Sequence, residues 1–191
     1  MNNKGSAGIW VILGVVVLLA FIIWGSYNGL VTKDANVENS WAKVQTAYER
    51  RADLIPNLVE TVKGYSSFEQ ETQTKIAQYR AGIRDATTPE QLDAIGAEMT
   101  KMVSGIAISV EAYPDLKASE NFLSLQDELA GTENRIKWER DNYNDAVNVY
   151  KISTKKFPTN IIANQFGFNS DKYDMFQAEV GSEDAPKVSF K

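Results

Sequence analysis

Arg50 and Arg51 are adjacent, Asp53 follows, and Pro56 and Asn57 come about one helical turn later. All five lie in the stretch Tyr48-Glu-Arg-Arg-Ala-Asp-Leu-Ile-Pro-Asn-Leu-Val-Glu-Thr-Val-Lys-Gly-Tyr65. Two guanidiniums at a helix junction could hold an anion or an acidic partner, because helix-end N–H groups and arginines both favour negative charge. The same residues could instead pin a kink. Arg51 falls on an apolar seam, and a buried arginine left unpaired is strongly destabilising. The polar run Glu133-Asn-Arg-Ile-Lys-Trp-Glu-Arg-Asp-Asn-Tyr-Asn144 supplies partners, with Glu133 and Glu139 as the seam acids within reach. Arg50, Arg51, Asp53, Pro56 and Asn57, with Glu133, Asn134, Arg140 and Asn144 as counterpart, are thus candidates for a structural junction or partner site. The junction reading is favoured.

Other chemistries find little support. The chain has no histidine and no cysteine. This excludes the usual zinc sites, thiol nucleophiles, iron–sulfur clusters and Ser-His-Asp triads. Glu-x-x-His di-iron bundles are excluded as well. No glycine-rich phosphate loop occurs, and Gly131-Thr132-Glu133 lacks the lysine such a loop needs. Asp171, Asp174 and Glu179 do not have the spacing of a calcium loop. An acid pair for hydrolysis could be drawn from Glu133, Glu139 and Asp141, but no cleft is evident around them. No catalytic residue, cofactor or metal is therefore assigned. The net charge is −5, and only Lys4 is charged before Lys33, so the remainder is still more acidic. A nucleic-acid partner needs a basic footprint and is not expected.

The elements that must position these residues begin with an anchor. Residues 5–32 carry no charge, and their heart is Ile9-Trp-Val-Ile-Leu-Gly-Val-Val-Val-Leu-Leu-Ala-Phe-Ile-Ile-Trp24. About 20 such residues span a hydrocarbon core of ~30 Å. Trp10, Trp24 and Tyr27 fall near its ends, where amphipathic rings favour the interface. The run is long for a cleaved signal peptide and lacks a small-x-small ending. An uncleaved, single-pass anchor touching lipid through residues 9–31 is expected. Lys4 and the α-amine face no acid on the short N-terminal side, whereas Asp34 and Glu38 lie near Lys33 on the other. The positive-inside bias then favours a cytoplasmic N-terminus and an extracytoplasmic domain, with the opposite topology as the alternative.

From Val37 an apolar seam runs at spacings of four and three. It reads Val37, Trp41, Val44, Tyr48, Arg51, Ile55, Leu58, Val62, Tyr65, Glu69, Thr72, Ile76, Tyr79, Ile83. This heptad pattern predicts helices packed at shallow angles. Pro56 predicts a kink or break near 52–56, with Asp53 as N-cap and helices over about 36–52 and 54–85. Thr88, Pro89 and Gln91 signal the next helix start, and that helix ends at Tyr113-Pro114. Gly96 and Gly105 within it could permit close approach. After a turn at 115–119, a helix from about Ser119 to Lys156 carries the seam Phe122, Leu125, Leu129, Thr132, Ile136, Glu139 or Arg140, Tyr143, Val147, Tyr150, Phe157. A short turn at 160–165 follows. Phe168, Tyr173, Phe176 and Phe190 are expected to clamp the tail onto the bundle.

The fold class is thus all-α: an N-terminal transmembrane helix, an elongated antiparallel bundle of about four helices, and an irregular C-terminal tail. The expected divisions are 1–32 for tail and anchor, 33–158 for the bundle and 159–191 for an extension packing on it.

Arg50-Arg-Ala-Asp-Leu-Ile-Pro-Asn-Leu-Val-Glu-Thr-Val-Lys-Gly-Tyr65 resembles the signature of the LemA family. Tyr27-Asn-Gly-Leu-Val31, Glu111-Ala-Tyr-Pro-Asp-Leu-Lys117, Asn121-Phe-Leu-Ser-Leu-Gln-Asp-Glu-Leu129, Thr132-Glu-Asn-Arg-Ile136, Phe157-Pro and Phe166-Gly-Phe168 are similar to the same family in the same order. The resemblance implies a bacterial membrane protein with an anchored helical bundle. It brings no catalytic residues, because the family has no established molecular activity. Some members look like lipoproteins, with a cysteine before the Tyr-Asn segment, where this chain has Gly25 and Ser26. A magnetosome-associated branch exists, and nothing in these residues points to that role. The function expected is a non-enzymatic scaffold or interaction module at the bacterial cell membrane, with other membrane or envelope proteins as partners. The alternatives are a carboxylate-dependent envelope hydrolase, and a self-assembling membrane protein in which the seam continues between chains as a homo-oligomer.

Overall fold

The computed structural model describes residues 4–62 and 69–177, with side chains from Gly8 to Val62 and from Thr72 to Gln177. Among the described residues there is no strand. Six helices follow in order among these residues: α1 Lys4–Val62, α2 Glu69–Asp85, α3 Pro89–Val110, α4 Pro114–Lys117, α5 Glu120–Lys155 and α6 Thr159–Phe166. The all-α class holds, with one long apolar helix at the N-terminus. The chain divides into two compact units, one of residues 1–51 and 129–173, the other of residues 52–128 and 174–191.

α1 departs from expectation. It shows no break at 52–56; Pro56 lies inside a continuous helix, so Asp53 is no N-cap. The anchor likewise runs into the first bundle helix without interruption. A proline inside a helix costs about 3 kcal/mol. Burying one large aliphatic side chain returns roughly 1.5–3 kcal/mol, and Ile55, Leu58, Val59 and Val62 around it are all buried. Packing outweighs the lost hydrogen bond. The helix expected over 54–85 is the end of α1 plus α2; Tyr65 and the side chain of Glu69 lie outside the described residues.

In the first unit, α1 and α5 pack antiparallel along the two seams. Trp41 meets Tyr143 with ring centroids 5.2 Å apart, and Arg51 pairs with Glu133. Ten residues forward on α1 are thus ten residues back on α5, a constant register. Val37, Val44, Tyr48, Ile136, Tyr143, Val147 and Tyr150 fill the interface. Glu139, not Arg140, takes the seam position. Phe157 leaves the seam and is 80% exposed, because α5 ends at Lys155 and Thr154 is the last buried residue of its stripe. After the turn, α6 places Ile162 and Ala163 against Leu30, with Phe168 packed on the cluster. Gly167 closes α6 at φ 80°, where a side chain would be strained, and the Phe168 N–H donates to the Ala163 carbonyl at 2.9 Å.

In the second unit, α3 starts as the Thr88, Pro89, Gln91 pattern predicts. The Gln91 carboxamide oxygen accepts the N–H groups of Thr87 and Thr88 at 2.7 and 3.1 Å. Leu92, Met99, Ile106 and Val110 are buried on its inner face. A close helix approach lies at Gly82 of α2, where a Cβ would come within 2.9 Å of Ile95 Cδ1, and Gly96, one of the two expected positions, is buried. Gly105, a candidate for that role, faces open space. The turn expected at 115–119 contains the one-turn helix α4. Phe176 is buried, and Phe190 lies outside the described residues.

Candidate functional site

The ionic seam of the first unit starts from Arg51. Its side chain is 7% exposed and ion-paired with Glu133, whose side chain is 54% exposed. One end of the pair is therefore embedded among packed helices and the other reaches water. One and two turns further along α5 are Ile136 and the buried Glu139; the Glu139 carboxylate accepts from Arg135 at 2.5 Å. Arg135 also covers the Trp138 ring at 4.5 Å. Two of the three acids from which a hydrolytic pair could be drawn, Glu133 and Glu139, are thus engaged by arginines, and the third, Asp141, is exposed. Arg50 and Asn134 are exposed, while Arg140 and Asn144 are half-buried.

Asp53, Pro56 and Asn57 belong to the second unit. Asp53 accepts two hydrogen bonds from Arg80, at 2.7 and 3.0 Å, in an exposed ion pair between α1 and α2. Such a pair contributes little to stability. Pro56 is half-buried and Asn57 exposed. The structure therefore brings Arg51 together with Glu133, and joins Asp53 to Arg80 rather than to the arginines beside it.

A second polar constellation was expected only in part: Tyr173 does clamp the tail onto the bundle, but Asp34, Glu38 and Lys172 were not singled out as its partners. Asp34 on α1 accepts from Lys172 Nζ at 2.8 and 2.9 Å and from the Tyr173 hydroxyl at 2.9 Å. Glu38, one turn on, lies 3.7 Å from Lys172 and 3.4 Å from the Tyr173 hydroxyl. The Tyr173 ring stacks edge-on against Tyr150 at 5.3 Å. The Tyr150 hydroxyl is buried with no hydrogen-bond partner among the described residues. Burial works against the Lys172 charge, yet its hydrogen bonds to Asp34 and Tyr173 outweigh that and raise its pKa. Burial first, and then Asp34 against the pull of Lys172, raise that of Tyr173. Tyr150 is raised by burial and by Asp34. A signal for this clasp was present: extending the seam back from Val37 lands on Asp34 and then Leu30. A seam acid, like a seam arginine, requires a partner.

Two further clefts lie among the described residues. One of about 410 Å³ in the second unit is lined by Thr72, Lys75, Tyr79, Glu98, Lys101 and Met102. Tyr79 is raised there by burial and by Glu98. The other, about 280 Å³ in the first unit, is lined by hydroxyl, amide and lysine side chains such as Thr154, Lys155, Asn160, Asn164 and Asn169. Among the described residues no group of three or more acids could hold a metal ion.

α1 contains a window long and apolar enough to cross a membrane, none of it buried by protein. A seamed helical bundle continuous with such a helix defines a membrane-associated helical-bundle protein. The LemA family matches residues 40–190. The chain belongs to the LemA family. Among its relatives is Protein LemA of Metamycoplasma hominis, 29% identical over 147 residues; the match covers 75% of this chain and 66% of that protein. Magnetosome protein MamQ 2 of Paramagnetospirillum magneticum is 24% identical over 98% of this chain and 78% of its own length. Magnetosome protein MamQ of Magnetospirillum gryphiswaldense is 22% identical over 90% of this chain and 73% of its own length.

Proposed function

We propose that the protein is a non-enzymatic interaction module of the bacterial envelope, held in the cell membrane by α1 and presenting its bundle to other membrane or envelope proteins. The observation that carries this reading is the use of the charged side chains. Arg51 and Glu133 are taken up in a pair that joins α1 to α5, and Arg135 and Glu139 in a pair within α5. Asp34 is likewise taken up by Lys172 and Tyr173. The larger cleft offers one carboxylate, Glu98, flanked by lysines. The acid–base pair that carboxylate hydrolysis requires is not assembled from these residues.

In this reading, residues 1–32 anchor, 33–158 form the bundle and 159–191 extend it. Arg50 and Asn134 of the first unit, and Asn57 of the second, are exposed and open to partners. The bundle lies on the extracytoplasmic side, as the lone Lys4 before the span and the acids after it favour. Two experiments test the proposal. A cysteine at Ser182, labelled with a membrane-impermeant reagent on intact cells, should react; protection until lysis would reverse the topology. Purified full-length protein should leave envelope polymers intact. Turnover that disappears in Glu98→Gln would overturn the non-enzymatic reading.

A further inference from the structure

α1 leaves the apolar run beside α6. Counting from Gly8, about 20 helical residues at ~1.5 Å each cover a hydrocarbon core of ~30 Å, which brings the far boundary to Tyr27. Every residue from Gly8 to Gly25 is exposed, and Leu30 is the first to be fully buried. What buries Leu30 is Ile162 and Ala163 of α6, with Phe168. Tyr27 itself meets Phe166 edge-on at 5.0 Å and Phe168 at 5.8 Å. α6 therefore stands at the depth where the span ends.

The free surface of α6 and of the turn before it does not suit water. Phe157 is 80% exposed, Ile161 58% and Phe166 54%. Lys155 and Lys156 precede them, both exposed. In a chain of net charge −5, residues 146–170 hold three lysines and no acid. Apolar side chains flanked by lysines suit the boundary between acyl chains and anionic headgroups, where lysine stems lie along apolar surface and their ammonium groups reach phosphate.

We propose that residues 155–168 form a second membrane contact, an interfacial foot in which Phe157, Ile161 and Phe166 enter the bilayer boundary and Lys155 and Lys156 meet anionic headgroups. This rests on the reading of α1 as a membrane span. The foot fixes the bundle's tilt on the membrane, because two contacts beside one another resist rocking where a single helix would not.

The chain has no cysteine, so single cysteines can be labelled uniquely. Full-length Phe157→Cys, Ile161→Cys, Lys137→Cys and Val16→Cys would each carry an environment-sensitive fluorophore. They would be reconstituted in equimolar phosphatidylcholine–phosphatidylglycerol vesicles containing lipids with a shallow or a deep nitroxide quencher. Labels at 157 and 161 should be quenched by the shallow nitroxide at least about twofold more than the label at 137, as interfacial insertion requires. The label at 16 should respond to the deep one. If 157 and 161 behave like 137 while 16 is quenched, the foot does not exist and the span stands. If 16 also escapes quenching, the span itself fails and the foot with it.

Discussion

At the scale of single residues, stability turns on charges placed in a packed seam. Breaking a buried ion pair by removing one partner costs roughly 3–5 kcal/mol. Glu133 is half in water, so its release costs less than that of a fully buried acid. Arg51→Ala should therefore lower unfolding stability by about 2 kcal/mol or somewhat more, and Arg51→Met, which keeps the packing, by less. Denaturation of the full chain in micelles checks both; an unchanged curve for Arg51→Ala would mean that the pair holds nothing. The Asp34 clasp makes a pH prediction. Lys172 and Tyr173 both bind their protons more tightly in the folded protein than in the unfolded chain, where they titrate near their ordinary values of 10.5 and 10.0. Their contribution is therefore complete below about pH 10 and is lost as the pH rises beyond it. The stability difference between wild type and Asp34→Asn should be constant from neutral pH to about 9 and shrink above 10. A difference that grows with pH would contradict the assigned direction. Arg51 was legible because it interrupts an apolar stripe. Asp34 was equally legible in principle, one seam step before Val37, but Lys172, 138 residues away, was not.

At the scale of elements, three of the four prolines between residues 56 and 158 mark helix boundaries, at Pro89, Pro114 and Pro158. Pro56 does not. Local chemistry reads a proline as a break; whether the helix resumes depends on what its neighbours bury, and that is a tertiary quantity. Pro56→Ala should restore a backbone hydrogen bond and raise the unfolding midpoint, by up to the ~3 kcal/mol a helix-interior proline costs. A lowered midpoint would show that α1 uses the proline's geometry. Gly105→Ala should stabilise α3 by about 0.5–1 kcal/mol, since open space surrounds that position and glycine is the poorer helix former. Helix proximity at Gly82 could not be read from sequence, because a glycine's packing role depends on the element opposite, here Ile95. The ends of α3 and α5 were legible from their flanking proline signals, and the seam residues Val37 through Val62 were legible from their spacing. Phe157 misled for a physical reason: its spacing continues the stripe, but the helix carrying the stripe has ended.

At the scale of the whole molecule, one helix serves two solvents. Its first part is apolar all round and exposed, as lipid contact requires; its second is apolar on one stripe only. The change near Leu30 is marked by charge returning at Lys33 and by the first buried residue, not by a helix end. A bundle continuous with its anchor has little freedom to leave the membrane surface, which suits a module that meets partners there. Photo-crosslinking in living cells tests that central claim most directly. A photoreactive residue would be placed in turn at the exposed positions Arg50, Asn57, Asn134 and Lys137 of the full-length chain. Discrete adducts with other membrane or envelope proteins, at some positions and absent at others, are predicted. Adducts at none of these positions, with the protein anchored and folded, would contradict it.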